Sequence, residues 1–222
     1  MPSVELLLNS SSRNYANPSK IIDDYFSFNN NILSSELLTE YEYLSTQLLE
    51  RYDRRTLPFP IQWAAEDGTS FLLYAITRIR KPKMILETGV ANGHSTYFIL
   101  NALLKNGFGS LHSIDISSKV GVLLEDGEKT NWNFHLISTK NDFNRVVNDI
   151  NEVDFFMHDS NHSYRWQYLE YDTIYKKMSP ISVFASDDID CSYAFIDYCS
   201  KINKKPVVLI DKRKFIGLLI NS

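Results

Sequence analysis

The stretch Met84–Thr96, MILETGVANGHST, is a short apolar run followed by two glycines and a segment of helical composition. This order predicts a strand, a glycine-rich turn and a helix. Gly89 and Gly93 lack a Cβ, so the turn can be sharp and its backbone can approach a ligand closely. The helix would present free N–H groups at its start, with Ser95 as a candidate cap and anion contact. The stretch predicts the entry to a nucleotide-type pocket, although a plain strand-to-helix turn has the same pattern.

Composition limits the classes of protein to which the chain can belong. With 222 residues it is long enough for one large domain with an ample core. The net charge of −4 gives no general attraction to nucleic acid or to an anionic membrane. No apolar run reaches the length of a membrane span, and no basic region precedes the first apolar run. Two cysteines, Cys191 and Cys199, are too few for a disulfide framework, so we expect buried free thiols and a cytoplasmic setting.

Downstream of residue 60, strand and helix patterns alternate along the chain. The predicted strands are Met84–Thr88, Ser110–Asp115, Asn133–Ile137, Val153–His158, Val183–Ser186, Pro206–Asp211 and Phe215–Ile220, and the predicted helices are 95–105, 118–128, 141–150, 162–178 and 191–203. Three residues separate the last two strands, which is too short for a crossover, so these strands should form an antiparallel hairpin. The pattern predicts a doubly wound α/β fold with a seven-stranded, mostly parallel sheet and a reversed last strand. Two helices, from Ser35 and over Asp67–Arg80, should precede the sheet, and residues 1–34 should form a partly ordered arm.

A doubly wound sheet binds its ligand at the carboxyl ends of its strands, so the polar residues at those ends are candidates for a site. Glu87 ends the first predicted core strand, and Asp115 ends the next one, 28 residues later. A carboxylate at this second position can accept hydrogen bonds from both hydroxyls of a ribose. The alternative is that Asp115 caps the following helix, but the glycine turn upstream favours the ribose.

An acidic cluster is predicted at two further strand ends. Asp159 follows the strand that ends at His158, and Asp187 and Asp188 follow the next strand. Three crowded carboxylates repel one another unless a cation neutralises them, and oxygen ligands suit Mg²⁺. His162, three residues after Asp159, could then act as a general base beside the metal. The alternative is loop solvation, with the aspartate pair capping a helix that starts near Cys191.

Other polar residues are interpreted as structural. The histidines at 94 and 158 should order their turns, and those at 112 and 135 should pack within strands. A C-terminal basic group is expected to be a solvated face; its members are Lys204, Lys205, Lys212, Arg213 and Lys214. None of these side chains is assigned to the predicted site.

Four motifs together resemble the class I S-adenosylmethionine-dependent methyltransferases over roughly residues 60–220. The motifs are LETGVANGHS, LHSIDIS, MHDSNHSY and SDDID. More narrowly, they are similar to the metal-dependent O-methyltransferases of the macrocin and mycinamicin sugar-modifying type and to cephalosporin-hydroxylase-like proteins. The resemblance implies a Rossmann-like sheet that binds S-adenosylmethionine through Glu87, Gly89, Gly93, Ser95, Asp115 and Asp159. It also implies that Asp159, Asp187 and Asp188 bind Mg²⁺ or another divalent cation and that His162 is the base.

The chain departs from this family in three places. The acidic pair is Asp-Asp, where the sugar-modifying enzymes carry Glu-Asp. Residues 177–181 (KMSPI) replace the usual Lys-Pro-Gly-Gly turn. Residues 1–60 match no segment that we recognise; we expect an arm and helical lid or oligomerisation segment, followed by a methyltransferase domain over 61–222.

The resemblance implies methylation of a hydroxyl on a small molecule of sugar or natural-product type. The expected partners are this acceptor and a second copy of the chain, with no nucleic acid and no membrane. Three alternatives remain: a catechol or phenol O-methyltransferase, a nicotinamide-dependent oxidoreductase, and a non-catalytic protein that binds S-adenosylmethionine. The third would fit if Asp187 and Asp188 faced solvent, away from Asp159.

Overall fold

The apolar run before the glycine turn forms β2 (Met84–Thr88), inside a mixed sheet. In the computed structural model, which describes residues 1–26 and 34–221, this sheet has eight strands. The others are β1 (Arg13–Tyr15), β3 (Ser110–Asp115), β4 (Trp132–Leu136), β5 (Val153–His158), β6 (Met178–Ser186), β7 (Val207–Asp211) and β8 (Lys214–Ile220). Their order is β1-β7-β8-β6-β5-β2-β3-β4, and β8 runs antiparallel to both of its neighbours. The predicted doubly wound sheet with a reversed last strand is confirmed.

Helices cover both faces of this sheet. They are α1 (Val4–Ser10), α2 (Pro18–Tyr25), α3 (Ser34–Arg54), α4 (Asp67–Arg80), α5 (His94–Asn106), α6 (Lys140–Asp149), α7 (Tyr164–Ile174) and α8 (Ala194–Lys201). Successive side chains of a strand point to opposite faces, so Ile85 and Leu86 enter two separate apolar clusters. Because both faces are buried, β2 and β5 contain consecutive apolar residues rather than an alternating pattern.

The N-terminal segment is more ordered than its polar composition suggests. Within the predicted arm, β1 pairs in parallel with β7 and extends the sheet by one strand. Ile21 and Ile22 on α2 are fully buried in the same cluster as Ile85. This part of the chain therefore belongs to the core. Residues 27–33 of the predicted arm, and Ser222, lie outside the described residues.

The helix predicted over 118–128 is wrong. A 3₁₀ helix over Asp126–Asn131 is present, and the residues before it form turns against the glycine-rich loop. Gly121 has a φ of +69°, and its N–H donates to the carbonyl of Ala91 at 2.9 Å. The N–H of Leu123 donates to the carbonyl of Asn92 at 3.0 Å. These long-range bonds replace the i to i−4 bonds of a helix.

Two expectations from composition concern the thiols and the membrane. Cys199 is buried as expected, but Cys191 is exposed. Among the described residues, no helix combines the length and the apolar character that crossing a membrane requires.

Candidate active site

A cavity of about 990 Å³ opens at the carboxyl ends of the parallel strands. It is bounded by the loops after β2, β3 and β5, by residues just before α4, and by the start of β8. Six of the predicted site residues lie in its wall: Gly89, Ser95, Asp115, Asp159, His162 and Asp188. The other three, Glu87, Gly93 and Asp187, lie outside the wall. One cavity therefore brings together both motif groups that the sequence singles out.

The glycine turn brings two loops into contact. Gly89 has a φ of +86°, and a Cβ at this position would lie 1.9 Å from the carbonyl oxygen of Asp159. Glycine is therefore required both by conformation and by space. Gly93, with a φ of +93°, occupies the N-cap position of α5, so the predicted capping by Ser95 is wrong. The Ser95 hydroxyl instead donates to Glu87 at 2.8 Å.

Glu87 holds the turn from beneath rather than from the cavity. Its side chain is fully buried, and its carboxylate accepts hydrogen bonds from the hydroxyls of Ser95 and Thr96 at 2.8 Å and of Ser113 at 2.7 Å. These bonds connect β2 with α5 and β3. Burial raises the pKa of Glu87 to about 7, although the three hydroxyls oppose this shift. Glu87 therefore has a structural position beneath the turn, and its contact with a cofactor stays a prediction.

Asp115 lies in the cavity wall at the end of β3. One carboxylate oxygen accepts from the N–H of Val90 at 2.9 Å, and the other accepts from the N–H of Ser117 at 2.9 Å. These bonds fix the carboxylate against the glycine turn, and each oxygen keeps a lone pair for a further donor. The next residue, Ile116, is 78% exposed and contributes an apolar surface to the same wall.

His162 lies in the cavity wall between two carboxylates. Its Nε2 is 3.7 Å from Oδ1 of Asp159 and 3.6 Å from Oδ2 of Asp188. Burial and the adjacent His158 lower the pKa of His162 to about 4, which leaves the ring neutral at pH 7. Asp188 adopts a φ of +48°, a left-handed conformation that aspartate tolerates better than most residues. A neutral imidazole can accept a proton, and Asp188 favours its charged form whereas burial opposes it.

The acidic cluster contains a residue that the sequence analysis assigned to a solvated face. The Lys214 ammonium lies 2.6 Å from Oδ2 of Asp187 and 3.4 Å from Oδ2 of Asp188. The side chain of Lys214 is 5% exposed and that of Asp187 is fully buried. Burial alone would lower the pKa of Lys214, but Asp187 and Asp159 raise it above its ordinary value. The interpretation of Lys214 as a solvated residue is wrong. Lys212 and Arg213 are more than half exposed and pair with Glu66, whereas Lys214 is buried against Asp187.

Glu170 on α7 is a second residue that the motifs did not reveal. Its carboxylate lies 2.6 Å from Nδ1 of His158 and accepts from Thr88 Oγ1 at 2.7 Å. It also accepts from Ser160 Oγ at 2.9 Å and from the indole N–H of Trp166 at 2.5 Å. These bonds hold the loop after β5, which carries Asp159 and His162. Glu170 lies within an ordinary helical pattern, so no local signal marks it.

The segment that precedes α4 contributes aromatic side chains to the rim of the cavity. The rings of Phe59 and Trp63 lie 5.9 Å apart, and both line the cavity. Arg213 holds this segment, because it donates to Glu66 at 2.5 Å and to the carbonyl of Gln62 at 2.6 Å. This rim is suited to contact with the ring of a small molecule.

The comparisons with known proteins agree with this geometry. Residues 86–189 match a family described as "Methyltransferase domain", and this range includes the glycine turn, Asp115, Asp159, His162 and the aspartate pair. Within this range the chain is similar to a methyltransferase domain. The family recognised from the four motifs is thereby confirmed. No curated protein sequence matches this methyltransferase significantly.

Solved structures extend the likeness to nearly the whole chain. One is an SAH-bound methyltransferase, PaMTH1, from Podospora anserina, with 13% identity, a TM-score of 0.58, and 92% of this chain and 95% of that chain covered. Another is the O-methyltransferase TomG of Streptomyces achromogenes in complex with SAM, involved in tomaymycin synthesis; it has 15% identity, a TM-score of 0.58, and 93% and 97% coverage. An O-methyltransferase from Bacillus cereus in complex with SAH has 12% identity, a TM-score of 0.57, and 91% and 96% coverage. At such low identity these likenesses show the fold.

The three aspartates that were predicted to bind Mg²⁺ do not form a suitable set of ligands for a divalent ion. Within residues 1–26 and 34–221, one group of three side chains has potential metal-ligand atoms within 4.8 Å of one another. It consists of Asp188, Asp190 and Cys191, and not of Asp159, Asp187 and Asp188. Both oxygens of Asp187 already have partners, since Oδ1 accepts from the N–H of Asp188 at 2.9 Å and Oδ2 pairs with Lys214. The ammonium therefore occupies the side of the carboxylates that a metal would need.

Proposed function

We propose that the protein transfers a methyl group from S-adenosylmethionine to a hydroxyl of a small molecule. The observation that carries this proposal is the shared cavity. Its wall includes the glycine turn, Asp115, and His162 between Asp159 and Asp188. A donor and an acceptor bound there would meet inside one enclosed volume, which is the main requirement for transfer from an activated sulfonium.

Residues at and near the glycine turn can supply the contacts that would bind S-adenosylmethionine. The backbone at Gly89 is open to close approach, since no Cβ covers it. Asp115, fixed by the N–H groups of Val90 and Ser117, would accept hydrogen bonds from the two ribose hydroxyls. The exposed face of Ile116 would pack against the adenine.

The transfer step uses His162 as the base. The acceptor oxygen attacks the methyl carbon, the C–O bond forms, and the C–S bond breaks with its electron pair remaining on sulfur. The hydroxyl proton passes to Nε2 of His162, and the carboxylates of Asp159 and Asp188 stabilise the resulting imidazolium. Because the predicted donor set does not fit Mg²⁺, no step of this mechanism passes through a metal.

The aromatic rim supports a proposal for the class of acceptor. Phe59 and Trp63 present flat apolar surfaces to the cavity, as Tyr52 does from α3. We propose an acceptor of sugar or natural-product type whose ring packs on these side chains; a catechol or phenol is the runner-up, because the same surfaces suit an aromatic ring. Residues up to 60 would cover the pocket through Tyr52 and Phe59. A non-catalytic protein would have Asp187 and Asp188 facing solvent, away from Asp159. Instead, Asp187 is buried, and Asp188 lies near the same imidazole as Asp159.

The test separates donor binding from methyl transfer. SAH binding is measured by calorimetry, and transfer from labelled S-adenosylmethionine is screened over sugars, polyols, natural-product alcohols and catechols. His162→Ala should reduce turnover by about 10²- to 10⁴-fold and leave SAH binding nearly unchanged. His112→Ala is the matched control, because His112 pairs with His135 at the sheet edge, away from the cavity. Loss of SAH binding in parallel with turnover would contradict the role of His162 as a base, and binding of a nicotinamide nucleotide in place of SAH would contradict the donor.

A further inference from the structure

The cation of the acidic cluster is part of the chain. Lys214 and Asp187 form an ion pair at 2.6 Å between side chains that are 5% and 0% exposed, and Lys214 reaches Asp188 at 3.4 Å. Lys214 also lines the cavity in which Asp159 and His162 lie. Its hydrogen bond goes to Asp187, so the ammonium, with three N–H groups, has donors left for a ligand.

The fold delivers this lysine to the cluster by strand register. β8 runs antiparallel to β6, with Gly217 opposite Ser186. One further bond, from the N–H of Ile189 to the carbonyl of Phe215 at 3.1 Å, fastens the loop after β6 to the start of β8. Lys214, the first residue of β8, therefore lies directly beside the aspartate pair.

The other two basic side chains at the tip of the hairpin pair outside the cluster. Lys212 adopts a φ of +52° at the tip, and its ammonium lies 2.5 Å from Asp67. Arg213 pairs with Glu66 at 2.5 Å. Both of these side chains bind outside the cluster, so Lys214 is the basic residue of the tip that turns inward.

An ammonium and a divalent ion would compete for this position. The ammonium already lies 2.6 Å from Oδ2 of Asp187 and 3.4 Å from Oδ2 of Asp188. Two cations within one buried cluster repel each other strongly. A metal bound there would also leave the buried Lys214 without its partner, which is costly. The lysine therefore excludes the ion rather than supplementing it.

We propose that Lys214 takes the place of the divalent metal, so that its ammonium orders Asp187 and Asp188 and donates a hydrogen bond to the acceptor oxygen during methyl transfer. This rests on the function proposed above. As the hydroxyl proton passes to His162, negative charge develops on the acceptor oxygen, and the adjacent positive charge stabilises it. The site is thus complete without a metal ion.

The test measures metal binding first, because that measurement needs no acceptor. Mn²⁺ is titrated into the full-length protein with SAH bound, and free Mn²⁺ is followed by its paramagnetic signal. The wild type should bind no stoichiometric Mn²⁺ up to about 1 mM, the weak limit of protein cation sites. Lys214→Met should gain a site that Asp188→Asn removes, and Lys214→Arg should gain none. Lys212→Met, at the exposed tip, is the matched control and should behave as the wild type does.

Two results would overturn the proposal: stoichiometric Mn²⁺ binding by the wild type that Asp187→Asn abolishes, or no gain of binding in Lys214→Met. If Lys214→Met does not fold, thermal unfolding of the wild type decides. Excess Mg²⁺ against chelator should shift its midpoint by less than about 1 °C, because a ligand that does not bind cannot stabilise. A shift of several degrees would overturn the proposal.

Turnover supplies the second readout once the screen has found an acceptor. The wild type should keep full activity in chelator, and Lys214→Met should lose about 100-fold in kcat with SAH binding unchanged. Loss of wild-type activity in chelator would contradict the replacement. If no hydroxyl acceptor is methylated at all, the proposed function fails, while the Mn²⁺ result still decides whether Lys214 excludes the metal.

Discussion

The two ends of the cavity are built in different ways. The donor end comes from one continuous stretch, in which Gly89, Gly93 and Asp115 lie within 84–117 and hydrogen-bond to one another's loops. The acceptor end comes from the loops after β5 and β6 and from the start of β8. It therefore joins residues as far apart in the chain as Asp159 and Lys214.

This difference decides what each end depends on. The donor end depends on backbone conformations that only certain residues allow, such as the positive φ of Gly89. The acceptor end depends on the register of β8 against β6, which places a lysine beside two aspartates. Changes at the donor end should thus act through local geometry, and changes at the acceptor end should act through charge.

The largest effect is expected from a substitution at Gly89, where the donor end contacts the loop that carries Asp159. Gly89→Ala puts a Cβ 1.9 Å from the Asp159 carbonyl oxygen, so it should cost at least about 4 kcal/mol in free energy of unfolding and abolish SAH binding. Gly107→Ala is the matched control, because Gly107 has a φ of +78° but no atom within 4 Å of the added Cβ. It should cost about 1 kcal/mol from backbone strain alone. Urea unfolding of both variants provides the measurement, and equal losses would show that the contact between the loops is unimportant.

The second prediction concerns the pH dependence of the donor end. In the folded protein the pKa of Glu87 is raised from 4.5 to about 7, so the unfolded chain releases this proton first as pH rises. Stability from Glu87 is therefore complete below pH 4.5 and falls by about 3 kcal/mol as pH approaches 7. Glu87→Gln should remove this fall, as measured by the free energy of unfolding of both proteins from pH 4.5 to pH 8.

A control of opposite sign tests the cause of that slope. Glu128 is also largely buried, but Arg51 holds its pKa below the ordinary value despite the burial. Its contribution is present above the unfolded pKa and is lost as pH falls. Glu128→Gln should therefore change the pH profile in the opposite direction. Similar changes in both variants would argue against burial as the origin of the Glu87 slope.

The smallest effect is expected for Asp115→Asn, which tests whether Asp115 binds the methyl donor. Asp115→Asn replaces one oxygen with an amide nitrogen, which cannot accept, and should weaken SAH binding by about 10- to 100-fold. Asp154→Asn is the matched control, because Asp154 also accepts two backbone N–H bonds, from Lys83 and Met84, at the opposite ends of the strands. Asp154 accepts both bonds with one oxygen, which asparagine retains, so Asp154→Asn should lose little stability. Only Asp115→Asn should lose affinity in calorimetry. Equal affinities would remove Asp115 from the donor site.

Much of the fold was predictable because its signals are short-range. The bounds of β2, β3 and β5 agree with the predicted strands, since each is a short segment with buried apolar residues that ends at a polar residue. The helix predicted over 118–128 failed, since Gly121 and Leu123 bond to the glycine turn instead of to their own helix. The N-terminal strand escaped prediction because three residues of mixed polarity form a strand only when β7 offers a free edge.

By itself, the sequence determined the order of strands and helices, the glycine turn and the polar residues that end the strands. These follow from side-chain periodicity and from backbone conformations that are local in the chain. Only the tertiary structure decided that Glu87 lies beneath the turn, that Glu170 holds the loop after β5, and that Lys214 joins the aspartates. The physical reason is that burial and ion pairing depend on which strands become neighbours, and the reversal of β8 brings a distant lysine into a cluster that its own neighbours in sequence do not predict.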